Sequence, residues 1–366
     1  MINQIEDLRA QIDDLNLALL ELLNARAKIA EEIGTLQTAK GLSHYDPVRE
    51  QKMLDILMTA NKGPFTNNTL KSLFKQIFQA SMQLEDDQDK AKYLASRSVQ
   101  SKDTVVCIGE TAVGGTNAPV LIAGPCAIES HEQVFATAEK VSSKGIKLFR
   151  GGAFKPRTDP YSFQGLGLEA LKLARAACDE FDLNFVTEVM DARDLPQILD
   201  HADVLQIGAR NMQNFSLLKA VGATQRPVLF KRGLSATIEE WIRAAEYLLD
   251  AGNPNVILCE RGIRTFERYT RNTLDVSAVA LAKIETHLPV LVDVTHSGGR
   301  RDLLVPLTKS ALAIGADGIM IEVHPNPTVA LSDNKQQIDF DAFDDYLEKT
   351  GYHRRLDTKR SHEYGF

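Results

Sequence analysis

The feature that most constrains this chain is a change of hydrophobic period near Val120. Ahead of it, apolar residues recur every three or four positions. Beyond it they gather into eight short runs: VLIAG from Val120, KLFRG from Lys147, NFVTEV from Asn184, VLQIG from Val204, PVLFK from Pro227, VILCE from Val256, PVLVDV from Pro289 and GIMIEV from Gly318. Runs apolar on both faces suit a parallel sheet covered by helices. Helical stretches such as ATIEEWIRAAEYLLDAG separate most of them. Eight alternations over roughly 250 residues predict closure into a (β/α)8 TIM barrel, an α/β fold. A short hairpin is expected just ahead, with Val105–Ile108 as a strand and Gly114-Gly115 as its turn.

Residues 1–85 carry the other period. Ile5, Leu8, Ile12, Leu15, Leu19, Leu22, Ile29, Ile33 and Leu36 step by three and four, with one gap at Arg26. That predicts a long helix with a narrow apolar stripe, which seeks other helices. Asp46-Pro47 reads as an N-cap followed by proline at the first helical position, opening a second helix towards Ala60. Asn61-Lys62-Gly63-Pro64 is a stop signal, and a third helix runs from about Asn68 to Glu85. Three helices, one very long, bury that stripe poorly alone, so an all-α intertwined dimer is expected. The polar stretch DDQDKAKYLASRSVQSKD reads as a linker. The expected domains are 1–87 helical, 88–103 linker, and 104–366 hairpin plus barrel.

Bulk composition narrows the function classes. The 366 residues are 44% hydrophobic, ample for two cores. A net charge of -7, with no long basic block, argues against nucleic acid. The N-terminal MINQIEDLRAQID is polar, unlike a signal peptide. The longest uncharged stretch, Thr111 to Ile128, holds three glycines and two prolines, which argues against a membrane span. Four cysteines, Cys107, Cys126, Cys178 and Cys259, are too scattered for a disulfide framework, so a reducing cytoplasm is expected. Cys107, Cys178 and Cys259 read as small buried apolar residues.

Chemistry in such barrels lies at the C-terminal strand ends. Those ends carry Cys126, Arg150 with Lys155 and Arg157, Glu188, Arg210, Lys231, Arg261 with Arg264, His296, and Glu322 with His324. One such cation could be a solvated loop residue. So many on one rim point to anionic, phosphorylated substrates. A thiolate, an imidazole and a carboxylate facing one cavity suit a divalent transition metal, and Asp333 in the last loop could be a fourth ligand.

The motifs AGPCAIES, FRGGAFKPRT, QIGARNMQN, LFKRG, CERGIRT, DVTHSGGRRD and EVHPNPTVALSDNKQQ resemble the type I-beta family of 3-deoxy-D-arabino-heptulosonate 7-phosphate (DAHP) synthases, from Val105 to about Tyr346. The resemblance implies condensation of phosphoenolpyruvate with D-erythrose 4-phosphate at the head of the shikimate pathway. It implies Cys126, His296, Glu322 and Asp333 as ligands of a divalent metal ion, Mn2+ by preference. It implies Arg150, Lys155, Arg210, Lys231 and Arg261 for phosphoenolpyruvate, and Arg157 and Thr158 for the sugar phosphate. Lys155, Glu188, Cys126 and His296 would act in catalysis, Glu188 by placing the attacking water. A sister family that makes an octulosonate has a sugar loop like Lys-Ala-Asn-Arg-Ser, and its metal-free members carry Asn at the cysteine. Cys126 and Arg157 favour the heptulosonate reading.

The N-terminal helices resemble the all-helical chorismate mutase domain fused to some of these synthases. Arg26 fills the gap in the apolar stripe. Arg49, Glu50, Ser81 and Glu85 fall on inner stripes, and Arg9 at a stripe edge could serve a partner's site. The resemblance implies that these residues and Gln37 bind chorismate or prephenate. Gln37 departs from the family, which usually has lysine there, and Lys40 lies nearly a turn too far to replace it. Glu85 stands where several relatives have glutamine, implying a mutase faster at mildly acidic pH. Two readings of this domain follow: an active mutase, or a feedback module with weak turnover. A homo-oligomer is expected, dimeric through the helices and tetrameric overall. No role is read for the tail from Thr350 to Phe366.

Overall fold

The computed structural model describes the backbone of residues 2–40, 46–90, 93–155, 159 and 161–352. It divides into two compact units, residues 1–92 and 93–366.

In the first unit, α1 (Ile2–Ala39), α2 (Pro47–Ala60) and α3 (Asn67–Lys90) follow the expected pattern. Asp46 caps α2, its carboxylate accepting from the Val48 and Arg49 amides. Both α1 and α2 pack on α3. Yet the α1 stripe stays open to solvent within one chain: Ile12 is 57% exposed, Leu15 68% and Leu22 69%.

The second unit is a closed barrel of eight parallel strands, one for each apolar run. These are β3 (Val120–Gly124), β4 (Leu148–Arg150), β5 (Asn184–Glu188), β6 (Val204–Ile207), β7 (Val228–Lys231), β8 (Val256–Glu260), β9 (Val290–Asp293) and β10 (Gly318–Glu322). Strands β10 and β3 pair to close it. Phe149, Phe185, Phe230 and Trp241 belong to the outer core between strands and helices. Ile122, Leu148, Val186, Leu229, Ile257, Leu291 and Met320 fill the interior.

A hairpin of β1 (Val106–Ile108) and β2 (Thr111–Val113) precedes the barrel, and Val106, Ile108 and Val113 join that interior cluster. Its turn is not Gly114-Gly115, as the sequence suggested. Ile108 pairs with Thr111, so the two-residue turn is Gly109-Glu110, with Gly109 at φ +55°. Cys107 is also not buried. Alternation along β1 turns its side chain outward. Cys178 and Cys259 are buried, as expected.

The linker expected at 88–103 is narrower in the structure. Helix α3 continues to Lys90, and residues from Tyr93 on belong to the barrel unit. Ala95 is fully buried, and the Glu246 carboxylate accepts from the Leu94 and Ala95 amides at 2.8 Å each. Arg97 donates to the Lys283 carbonyl, and the Thr104 hydroxyl pairs with His287 at 2.7 Å. Polar composition alone concealed this docking, because the segment is held by specific hydrogen bonds rather than by an apolar period.

Candidate functional site

The C-terminal strand ends bring Cys126, His296, Glu322 and Asp333 together, one ligand atom of each lying within 4.8 Å of the others. Cys126 follows β3, Glu322 ends β10, and Asp333 lies in the loop beyond it. His296 sits on the short helix Val294–Gly298 directly after β9. That helix starts there because Asp293 caps it: Oδ1 accepts from the His296 amide at 2.9 Å. The other oxygen of Asp293 lies 2.7 Å from His296 Nδ1. This leaves Nε2 facing Glu322 Oε1 at 3.4 Å and Asp333 Oδ2 at 3.5 Å.

The site is charge-dense and largely buried. Arg150 Nη1 donates to Glu322 Oε1 at 2.7 Å, and Lys231 Nζ to Asp293 Oδ2 at 2.5 Å. Lys155 Nζ lies 3.1 Å from Cys126 Sγ, and Arg271 Nη1 lies 3.2 Å from Asp333 Oδ1. Burial disfavours an imidazolium at His296, but Asp293 and Glu322 outweigh it and push the group up to about 10. Burial likewise opposes ionisation of Asp293, Glu322 and Asp333, yet the surrounding cations hold all three below the ordinary carboxylate range. Burial pulls Lys155 down, and Cys126, Glu322 and Glu188 together more than restore it. Arg261 is lowered chiefly by burial.

The remaining predicted residues are placed differently. Arg150, Lys155 and Lys231 touch the cluster or its Asp293 support, and Arg261 is buried and feels Asp293 electrostatically. Glu188 ends β5 beside it, accepting from Gln206 at 3.3 Å. Its carboxylate passes so close to Gly208 that a Cβ there would lie 2.0 Å from Oε1. Only glycine fits. Arg210 is exposed on the turn Ala209–Asn211, and among the described residues no ion pair or hydrogen bond joins it to the cluster. Arg264 is exposed too. His324 is buried and turned to Glu129 at 3.4 Å. Arg157 and Thr158 lie outside the described residues.

Sequence reasoning missed several members. Asp293 orients His296. Gln336 and Gln337 touch the ligand set, and Arg271 reaches Asp333. Arg232 is buried against Glu260 at 3.0 Å and Asp275 at 2.9 Å. All but Arg271 sit in a quoted motif, but the role of a polar side chain shows only once its partners are known.

In the helical unit, Arg26, Gln37, Arg49, Glu50 and Ser81 line one cavity of about 560 Å3, with Ile29, Ile33, Met53, Phe74 and Phe78. Arg26 donates to the Ser81 hydroxyl and lies over the Phe78 ring, 5.1 Å from its centre. Arg9 is not part of that lining; it pairs with Glu6 on the exposed surface. Glu85 lies in α3, but its side chain is outside the described residues, as is the tail from residue 353.

Comparison with known proteins agrees with both units. Residues 93–355 match the DAHP synthetase I family, and residues 8–86 match chorismate mutase type II. A phospho-2-dehydro-3-deoxyheptonate aldolase of Thermotoga maritima is 52% identical over 256 residues, 70% of this chain and 75% of that protein. A 2-dehydro-3-deoxyphosphooctonate aldolase of Bordetella petrii is 31% identical over 252 residues, 62% of this chain and 88% of that one. The crystal structure of the Thermotoga maritima DAHP synthase aligns with a TM-score of 0.69 at 50% identity, covering 72% of this chain and 77% of that one. The chain belongs to the DAHP synthetase I family, and a chorismate mutase type II domain precedes its barrel in sequence.

Proposed function

We propose that the barrel condenses phosphoenolpyruvate with D-erythrose 4-phosphate, giving DAHP and phosphate, in a metal-dependent reaction. The observation that carries this reading is the convergence of Cys126, His296, Glu322 and Asp333 within 4.8 Å. A thiolate, an imidazole and two carboxylates fit a divalent ion such as Mn2+. Nδ1 of His296 is committed to Asp293, which leaves Nε2 for the ion. When bound, the ion polarises the aldehyde carbonyl of the sugar as a Lewis acid.

The chain's own residues supply the rest. Among the described residues Arg150 Nε is buried without a partner, a donor left over for an anion. With Lys155, Arg210, Lys231 and Arg261 it holds the carboxylate and phosphate of phosphoenolpyruvate. Arg157 and Thr158 hold the sugar phosphate. C3 of phosphoenolpyruvate attacks the aldehyde carbon, and Lys155 gives its proton to the aldehyde oxygen. Positive charge develops at C2, Glu188 places a water there, and phosphate leaves. Purified protein should consume both substrates, lose that activity to a chelator and regain it with Mn2+. A metal-loaded protein that consumes neither would end this reading.

For the helical unit we propose binding of chorismate or prephenate in the cavity around Arg26, with rearrangement of chorismate to prephenate. That reaction needs a clamp for a compact dicarboxylate and a donor to the breaking ether oxygen. Gln37 favours a second reading. It lines the cavity where a lysine would bring charge, and charged hydrogen bonds are the stronger ones. The domain would then chiefly sense pathway product and restrain the barrel. Chorismate conversion across mildly acidic to neutral pH, beside Gln37→Lys, separates the two. The exposed α1 stripe supports a dimer through the helices, and we propose a tetramer overall, in the cytoplasm. Among the described residues no helix is long and apolar enough to cross a membrane.

A further inference from the structure

We propose that Gln336 and Gln337 form a positioning clamp that presets the carboxylate and thiolate ligands of the barrel. The inference rests on the metal reading above. The chain turns tightly at Asp333, whose φ of +44° lies in the left-handed region. The Gln336 amide donates back to the Asp333 carbonyl at 3.1 Å, and Ile338 rejoins β10 by donating to the Glu322 carbonyl. The turn therefore folds Gln336 over the carboxylate of Asp333 itself.

Both glutamines are buried, at 3% and 0% exposure, and every amide group is used. Gln336 Nε2 donates to Glu322 Oε2 at 2.9 Å and to Asp333 Oδ2 at 3.1 Å. Its Oε1 accepts from Arg271 Nη1 at 2.8 Å. Arginine can only donate, so the amide oxygen must face Arg271 and the NH2 must face the two carboxylates. Gln337 Oε1 accepts from the Cys126 amide at 2.8 Å, while its Nε2 donates to the Ser332 carbonyl at 2.7 Å. One glutamine thus ties two ligand carboxylates together. The other ties the backbone bearing Cys126 to the loop bearing Asp333. His296 is held separately by Asp293.

A neutral donor suits this position. Two carboxylates at close range repel, and the NH2 offsets that repulsion. A lysine or arginine there would do so as well, but its charge would compete with the ion.

The test uses Co2+ as a coloured probe of the full-length protein, by titration and by the near-ultraviolet absorption of the cobalt–thiolate bond. Gln336→Met keeps the bulk and removes the donors. It should weaken Co2+ binding by about 10- to 100-fold, as expected for losing a group that orients metal ligands. Gln337→Met should shift the thiolate absorption. The unfolding temperature in chelator shows whether each variant folds. Folded variants that match wild-type affinity and spectrum overturn the clamp. Should Gln336→Met fail to fold, Arg271→Met decides: it removes the partly exposed anchor of the amide, and unchanged affinity there overturns the proposal equally. Wild-type protein that takes up no Co2+ would instead defeat the metal reading, and the clamp with it.

Discussion

The two units solve the burial problem in opposite ways. The barrel encloses its charged site within one chain: Arg150, Lys231 and Arg271 each meet a carboxylate, Lys155 meets the Cys126 sulfur, and the strands around them leave no edge. The helical unit encloses neither its stripe nor its cavity to that degree. Leu15 and Leu22 remain largely exposed, and among the described residues no ion pair joins Arg26 or Arg49. A buried ionic site is stable only when its charges are matched. A half-exposed one leaves cationic and apolar surface open. The barrel assembles its candidate metal-ligand set within one chain, whereas the helical unit leaves an apolar stripe uncovered.

The sharpest break of that comparison is Cys126→Ser. It removes one of the four candidate ligands, and DAHP formation should fall to background while chorismate binding persists. Loss of both activities would show that the units are not independent. Arg26→Ala comes next. Removing one preorganised donor to developing charge should lower chorismate turnover by about 10²- to 10³-fold, with DAHP formation unchanged in an assay run beside it. The third is Leu15→Glu on α1. Burying one leucine contributes about 1.5–3 kcal/mol, so dimer affinity should weaken on the order of 10- to 100-fold, read by sedimentation. An unchanged association state would show that the stripe is not the interface.

Smaller effects sharpen it further. Gln37→Lys should raise chorismate turnover roughly tenfold, since a charged donor is about twice as strong as a neutral one; equal rates would mark Gln37 as a full substitute. The weakest is Asp344→Asn on the barrel surface. Hydrogen bonds from Lys140 and Lys144 hold the Asp344 carboxyl below its ordinary value of 3.8. The stabilisation is therefore present above that value and lost as pH falls through the lower folded value. Asp344 is 43% exposed, so the effect is at most about 1 kcal/mol. A small drop in unfolding temperature at neutral pH, vanishing in strong acid, is expected.

Much of this was legible in the residue pattern. Each of the eight apolar runs became a strand, because runs buried on both faces have few other homes. Asp46 announced its helix by capping chemistry that is local. Other features were not legible. The Gly109-Glu110 turn competed with Gly114-Gly115, and hairpin register is set by which side chains reach the interior. The docking of residues 93–103 depends on Glu246 and His287, far away in sequence.

Sequence by itself determined the two periods, the barrel and the four candidate ligands, because periodicity and motif chemistry are properties of neighbouring residues. Only the tertiary structure decided that Asp293 aims His296, that Gln336 bridges Glu322 and Asp333, and that Arg9 stands apart from the helical cavity. Those are contacts between side chains brought together by strand closure or helix packing. Their hydrogen bonds depend on distances of a few ångströms that no spacing along the chain encodes.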